Sequence, residues 1–278
     1  MTDLRPPVIA GDCPTMTRVT RVTSWGAMRA GRRLSDPIDL GLFPGTILGV
    51  VGPNGVGKSS FLAALAHTDV PSVGTMHIGR TNLSTLRARD RARVISFLPQ
   101  DLAAPRELLV SELVQVGAFA GGRTDPAAAT QAALAEAGIE HLADKLYGTL
   151  SGGQKQLAQI ARVLAQDTPI VILDEPTAAL DLFYQGEVER LMRVLSEAGK
   201  IVIVALHDLS LALNSCTQVL LLSADGSAHA GRPTEVLNDA HVLAAYGVHS
   251  SIYTTDGGRR YLAAHPPRFG TDNTRERE

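Results

Sequence analysis

The 278-residue chain carries 26 Lys and Arg against 28 Asp and Glu, a net charge of −2, with 45% hydrophobic residues and 4% aromatics. A balance this close to neutral lacks the basic excess of a general nucleic-acid binder, and the length is ample for a buried core. Cys13 and Cys216 are too few for a disulfide framework and suit a reducing cytosol.

Residues 1–17 are rich in Pro and Thr without periodicity, so a flexible tail is expected there, and Asp3, Pro6, Pro7 and Asp12 interrupt any secretory signal. The most apolar runs, Ile47–Val51, 170–173 and 201–206, fall far short of the roughly 20 residues a membrane-spanning helix needs. Ile47–Val51 reads as a buried strand, followed by a helix over 60–66. Residues 101–158 read as a mostly helical insertion, in which Asp125 and Pro126 start a helix and Gly138 stops it. Beyond it come a strand at 170–173 and a helix with Val188, Leu191, Met192 and Leu195 on one face, which Gly199 can close. A strand at Ile201–Ala205 completes a βαβ crossover. Runs without polar alternation imply strands covered on both faces, as in a parallel sheet.

The strand at Ile47–Val51 runs into Gly52-Pro53-Asn54-Gly55-Val56-Gly57-Lys58-Ser59, a full match to the G-x-x-x-x-G-K-[ST] phosphate loop in its strand-to-helix setting. Glycines let backbone N–H groups turn inward around phosphate oxygens, Lys58 reaches the β and γ phosphates, and the Ser59 hydroxyl can ligate Mg²⁺. The helix beginning at Ser60 adds its positive end. The strand at 170–173 ends in Asp174, suited to the Mg²⁺ environment, and Glu175, suited to orienting an attacking water. Leu150-Ser151-Gly152-Gly153-Gln154 has capping-box spacing, so a helix starts there; its two glycines leave the first amides open to an anion.

Taken together, these motifs resemble the nucleotide-binding subunit of an ABC transporter over residues 19–248. The resemblance implies an α/β fold: a P-loop NTPase (RecA-like) core with a mainly parallel sheet, an antiparallel β portion and a helical subdomain at about 101–158. The ATP-binding domain is expected over 18–258, and 259–278 as a largely disordered tail. Gln100 matches the Q-loop, Asp181 the D-loop and His207 the switch histidine. ATP and Mg²⁺ are the implied cofactors. Ser59, Gln100 and Asp174 would surround the metal, Glu175 would be the general base, and Gln100 and His207 would sense the γ-phosphate. Trp25 is the candidate for the adenine-stacking aromatic, with core packing as its other reading.

The same resemblance implies a second copy packed head to tail, so that ATP lies between the phosphate loop of one chain and Ser151, Gly152, Gly153 and Gln154 of the other. Separate permease subunits, an extracytoplasmic substrate-binding protein, no nucleic acid and a place on the cytoplasmic face of the membrane follow. The segment Ala230-Gly231-Arg232-Pro233-Thr234-Glu235 through Tyr246-Gly247-Val248 looks like the importers of ferric siderophores, haem and cobalamin. The rival readings are a soluble ABC-type ATPase of DNA repair or the ribosome, and an exporter subunit.

Overall fold

The structure, a computed structural model, describes residues 19–29, 31–68, 70–101 and 103–265. The expected tail at 1–17, Cys13, and residues 266–278 of the expected C-terminal tail lie outside the described residues. In chain order the elements are β1 (Thr20–Arg29), β2 (Arg32–Arg33), β3 (Ile38–Leu42), β4 (Ile47–Val51), α1 (Lys58–Leu65), β5 (Ser72–Ile78), β6 (Thr81–Asn82), α2 (Ala88–Arg91) and β7 (Ile95–Leu98). Three longer helices follow, α3 (Val110–Gly121), α4 (Pro126–Glu136) and α5 (Gly152–Gln166). Then come β8 (Ile170–Asp174), α6 (Leu182–Glu197), β9 (Ile201–Ala205), α7 (Leu209–Ser215) and β10 (Gln218–Leu222). The described chain ends with β11 (Ala228–Gly231), α8 (Pro233–Val236), α9 (Asp239–Tyr246), β12 (His249–Thr254) and β13 (Arg260–His265).

Successive side chains of a strand point to opposite faces, so a strand that is apolar at every position needs two covers. In β8, Ile170 and Ile172 enter one core and Val171 and Leu173 the other; β9 divides Ile201 and Ile203 from Val202 and Val204 in the same way. These strands lie in a six-stranded sheet of order β11-β10-β4-β9-β8-β7, parallel except for the β10–β11 pair. On one face α1 contributes Phe61, Leu62 and Leu65, backed by Val22, Leu40 and Met76 of a second, antiparallel sheet. On the other face lie Leu157 and Ile160 of α5 and Leu191 and Leu195 of α6. Burying Val188, Leu191, Met192 and Leu195 on one face of α6 is what the 3.6-residue spacing predicted, and Gly199 follows with φ 77°.

Asp125 Oδ1 accepts the Ala128 N–H at 2.9 Å with Pro126 at the first helical position, which starts α4 where expected. α3 lies against α5 so closely that a Cβ at Gly117 would sit 1.9 Å from the Arg162 carbonyl oxygen, and one at Gly121 2.1 Å from that of Gln166. Both pairs are four residues apart, so one face of each helix makes the approach.

Two expected boundaries need correction. The end of the insertion at 158 falls inside α5, whose buried face continues from Leu157 through Ile160, Ala161 and Val163, so no element ends there. The C-terminal tail does not begin at 259: β13 pairs with β12 from His249↔His265 to Thr254↔Arg260. Asn214 fixes this hairpin to α7, accepting the Arg260 N–H at 2.9 Å and donating to the Arg260 carbonyl at 2.7 Å. Among the described residues no helix is long and apolar enough to cross a membrane.

Candidate nucleotide site

β4, buried along its whole length, delivers the chain to the loop that precedes α1. Gly55 and Gly57 take φ of 78° and 109°, a left-handed region open to glycine at little cost, and this lets the loop turn tightly between β4 and α1. Lys58 opens α1 and is only 4% exposed, yet its ammonium is not bare. Nζ donates to the carbonyl oxygens of Gly52 at 2.9 Å and Pro53 at 3.2 Å. Burial lowers the lysine pKa, while the carboxylates of Glu175 and Asp174 push it back up.

The next group comes from the end of β8. Asp174 is 4% exposed and its Oδ1 accepts the Ser59 hydroxyl at 3.1 Å, which ties β8 to α1. Burial raises the Asp174 pKa; the Ser59 hydrogen bond, Lys58 and His207 act against that rise, and Glu175 adds to it. Glu175 has φ 51°, a left-handed conformation that costs a non-glycine residue about 1 kcal/mol or more. The side chain is 9% exposed, with a partner on each oxygen. Gln100 Nε2 donates to Oε2 at 2.8 Å, and His207 Nε2 lies 2.6 Å from Oε1. Gln100 follows β7, Glu175 follows β8 and His207 follows β9; these are neighbours in the sheet, so the three side chains meet at the carboxyl ends of adjacent parallel strands. Together with Asn54, Lys58 and Ser59 they line a cleft of ≈ 410 Å³.

Gly55, Gly57 and Ser60 line that cleft too, while Gly52 and Pro53 serve it through the carbonyls that hold Lys58, and Val56 packs against the core beneath. Ser151, Gly152, Gly153 and Gln154 are absent from its walls. They start α5, where the expected capping box is formed: Ser151 Oγ accepts the Gln154 N–H at 3.3 Å and Gln154 Oε1 accepts the Ser151 N–H at 3.1 Å. Ser151 and Gly152 are exposed, and a Cβ built at Gly152 would meet nothing within 4 Å. Asp181 caps α6, its Oδ1 accepting the Tyr184 N–H at 3.0 Å.

Trp25 is not an adenine platform in this structure. It is 1% exposed, with its ring edge-on to His67 at 5.6 Å and within the core that holds Phe61 and Leu65. Strict alternation from buried Val22 would turn position 25 outward, but the register of β1 shifts between Val22 and Trp25, where Ser24 has φ 49°. Tyr184 is a neighbour of the α5 start that sequence reading missed, because the contact joins two helices and no spacing rule reports it.

The sequence profile described as ABC transporter matches residues 35–178, just over half of the chain. The hemin import ATP-binding protein HmuV of Bordetella bronchiseptica is 39% identical over 236 residues, covering 81% of this chain and 90% of its own length. Its counterpart from Pseudomonas entomophila is 41% identical over 222 residues, 77% of this chain and 87% of its own. Among solved structures, a post-hydrolysis ATP-binding cassette dimer bound to ADP and Pi superposes with a TM-score of 0.68 at 25% identity, covering 77% of this chain and 98% of that one. A metal-chelate type ABC transporter in an inward-facing conformation shares the fold, with a TM-score of 0.75 at 24% identity over 89% of this chain and 98% of that one. The chain belongs to the ABC transporter family, as one of its ATP-hydrolysing members.

Proposed function

We propose that this chain energises an importer of iron-siderophore, haem or cobalamin from the cytoplasmic face of the membrane. It works as a head-to-tail pair, with the phosphate loop of each copy facing residues 151–154 of the other. The observation that carries the pairing is the start of α5, where Ser151 and Gly152 are exposed and contribute nothing to the cleft around Lys58. A helix start of this kind attracts anions, and a second copy brings it to a bound γ-phosphate. The hemin import relatives favour the cargo class, as does the cobalamin import ATP-binding protein BtuD of Halobacterium salinarum, 34% identical over 84% of this chain and 60% of its own length.

In the reaction, Glu175 accepts a proton from water as the water oxygen attacks the γ-phosphorus. The bond from that phosphorus to the bridging oxygen breaks, and the electron pair leaves on ADP. Gln100 and His207 hold the two Glu175 oxygens in place, the carboxylate being nearly enclosed before substrate arrives. Lys58 offsets phosphate charge, exchanging the loop carbonyls for phosphate oxygens. Ser59, Asp174 and Gln100 are the residues that would hold Mg²⁺, which neutralises phosphate charge when bound. Their oxygen donors suit a hard cation, and among them Asp174 is a buried carboxylate whose charge such an ion would offset.

Two separate permease chains and an extracytoplasmic binding protein complete the assembly. Affinity purification of the tagged chain from membranes should recover a permease; recovery of ribosomal or DNA-bound proteins without one overturns transport. Uptake of labelled ferric siderophore, haem or cobalamin by a deletion strain identifies the cargo, and undiminished uptake of all three rejects this class.

A further inference from the structure

The geometry points to Tyr184 as a positioning residue that locks the start of α5 to the Asp181 loop, so that both present to the partner copy as one rigid unit. This rests on the paired reading above. A Cβ built at Gly153 would lie 2.3 Å from Tyr184 Cδ2 and 2.5 Å from both Cε2 and Cγ, so the ring occupies the space a side chain at 153 would need. The near atoms include the root of the ring, which cannot swing aside as the tip of a flexible chain does. Phe183 stands edge-on to it, with centroids 5.2 Å apart and planes at 82°, and the ring packs on the core that contains Leu157 and Val188. Its own backbone N–H is the donor that Asp181 accepts at 3.0 Å. Tyr184 thus touches residue 153 with its side chain and residue 181 with its backbone.

The physical need is plain at Gly152 and Gly153. Two glycines open the first amides of α5 but leave the backbone more freedom than any other residue type would. Donors aimed at developing charge are effective in proportion to how well they are held beforehand. Gly152 has open space around it and receives no such support, whereas Gly153 is clamped under the ring. Glycine at 153 admits the ring, and the ring removes the mobility that glycine brings.

Tyr184→Ala should lower turnover at saturating ATP by about tenfold or more while ATP affinity stays within about twofold, since the phosphate loop is untouched. Tyr184→Phe, which restores the ring, should return turnover to near the parental level. Gly153→Ala should lose turnover through the clash. The double variant Gly153→Ala, Tyr184→Ala should regain several-fold over Gly153→Ala alone, the methyl group filling part of the vacated space. Parental turnover in Tyr184→Ala, failure of Phe to restore it, a parallel fall in ATP affinity, or a double variant no better than Gly153→Ala would each overturn the inference. Gly152→Asp separates the two levels: if it retains turnover, the paired reading itself is wrong. If it loses turnover while Tyr184→Ala does not, only the role of Tyr184 is.

Discussion

The phosphate loop and the start of α5 are both glycine-bearing entries to a helix, yet they are built in opposite ways. Around the loop, charges are buried and matched within the chain: Lys58 on two carbonyls, Asp174 on Ser59, Glu175 between Gln100 and His207. At the start of α5 the polar side chains satisfy only the helix cap, and Ser151 and Gly152 face outward. One region forms a cleft lined by polar and charged side chains, and the other is complete as a helix end. In the pairing proposed above, a second copy would bring its exposed helix start to the nucleotide held in this cleft.

The sharpest break in this contrast comes from inside the cleft. Glu175→Gln should lower single-turnover hydrolysis by about 10²–10⁴ while ATP is retained; a rate matching the parent removes Glu175 as base. Gly152→Asp, which places a negative charge at the exposed amides, should reduce steady-state turnover on the order of 10². ATP affinity in an equilibrium titration should stay within about twofold, as expected of a group absent from the chain's own cleft. Lys58→Ala should show the reverse emphasis, weakening ATP affinity by roughly tenfold to a hundredfold through loss of charged hydrogen bonds. The smallest effect concerns Trp25, the single Trp of the chain. Buried at 1% exposure, it should show the same emission with and without saturating ATP, whereas quenching on ATP addition would return it to the site.

Legibility in the sequence followed how local the determining physics is. β4, β8 and β9 could be read because strands covered on both sides must be apolar throughout, and the phosphate loop because its backbone demands glycines at fixed offsets. The α5 cap was legible for the same reason, its donors and acceptors being three residues apart. The two readings of Trp25 could not be separated because one bulge in β1 decides which residues face inward, and β13 escaped because its polar segment is held by Asn214 from a distant helix. The left-handed backbone at Glu175 is imposed by its surroundings and leaves no mark in residue type. Short pairings such as Arg32–Arg33 and Thr81–Asn82 draw their order from β1 and β5, without a pattern of their own.

The most direct measurement mixes two damaged proteins, Lys58→Ala with its loop impaired and Gly152→Asp with its α5 start impaired, and follows ATP hydrolysis against total concentration. If each site is shared between copies, mixed pairs contain one intact site, and turnover should rise well above the sum of the separate proteins, toward about a quarter of the parental value for random pairing. Turnover equal to that sum at every concentration would mean that each chain hydrolyses ATP with its own residues alone.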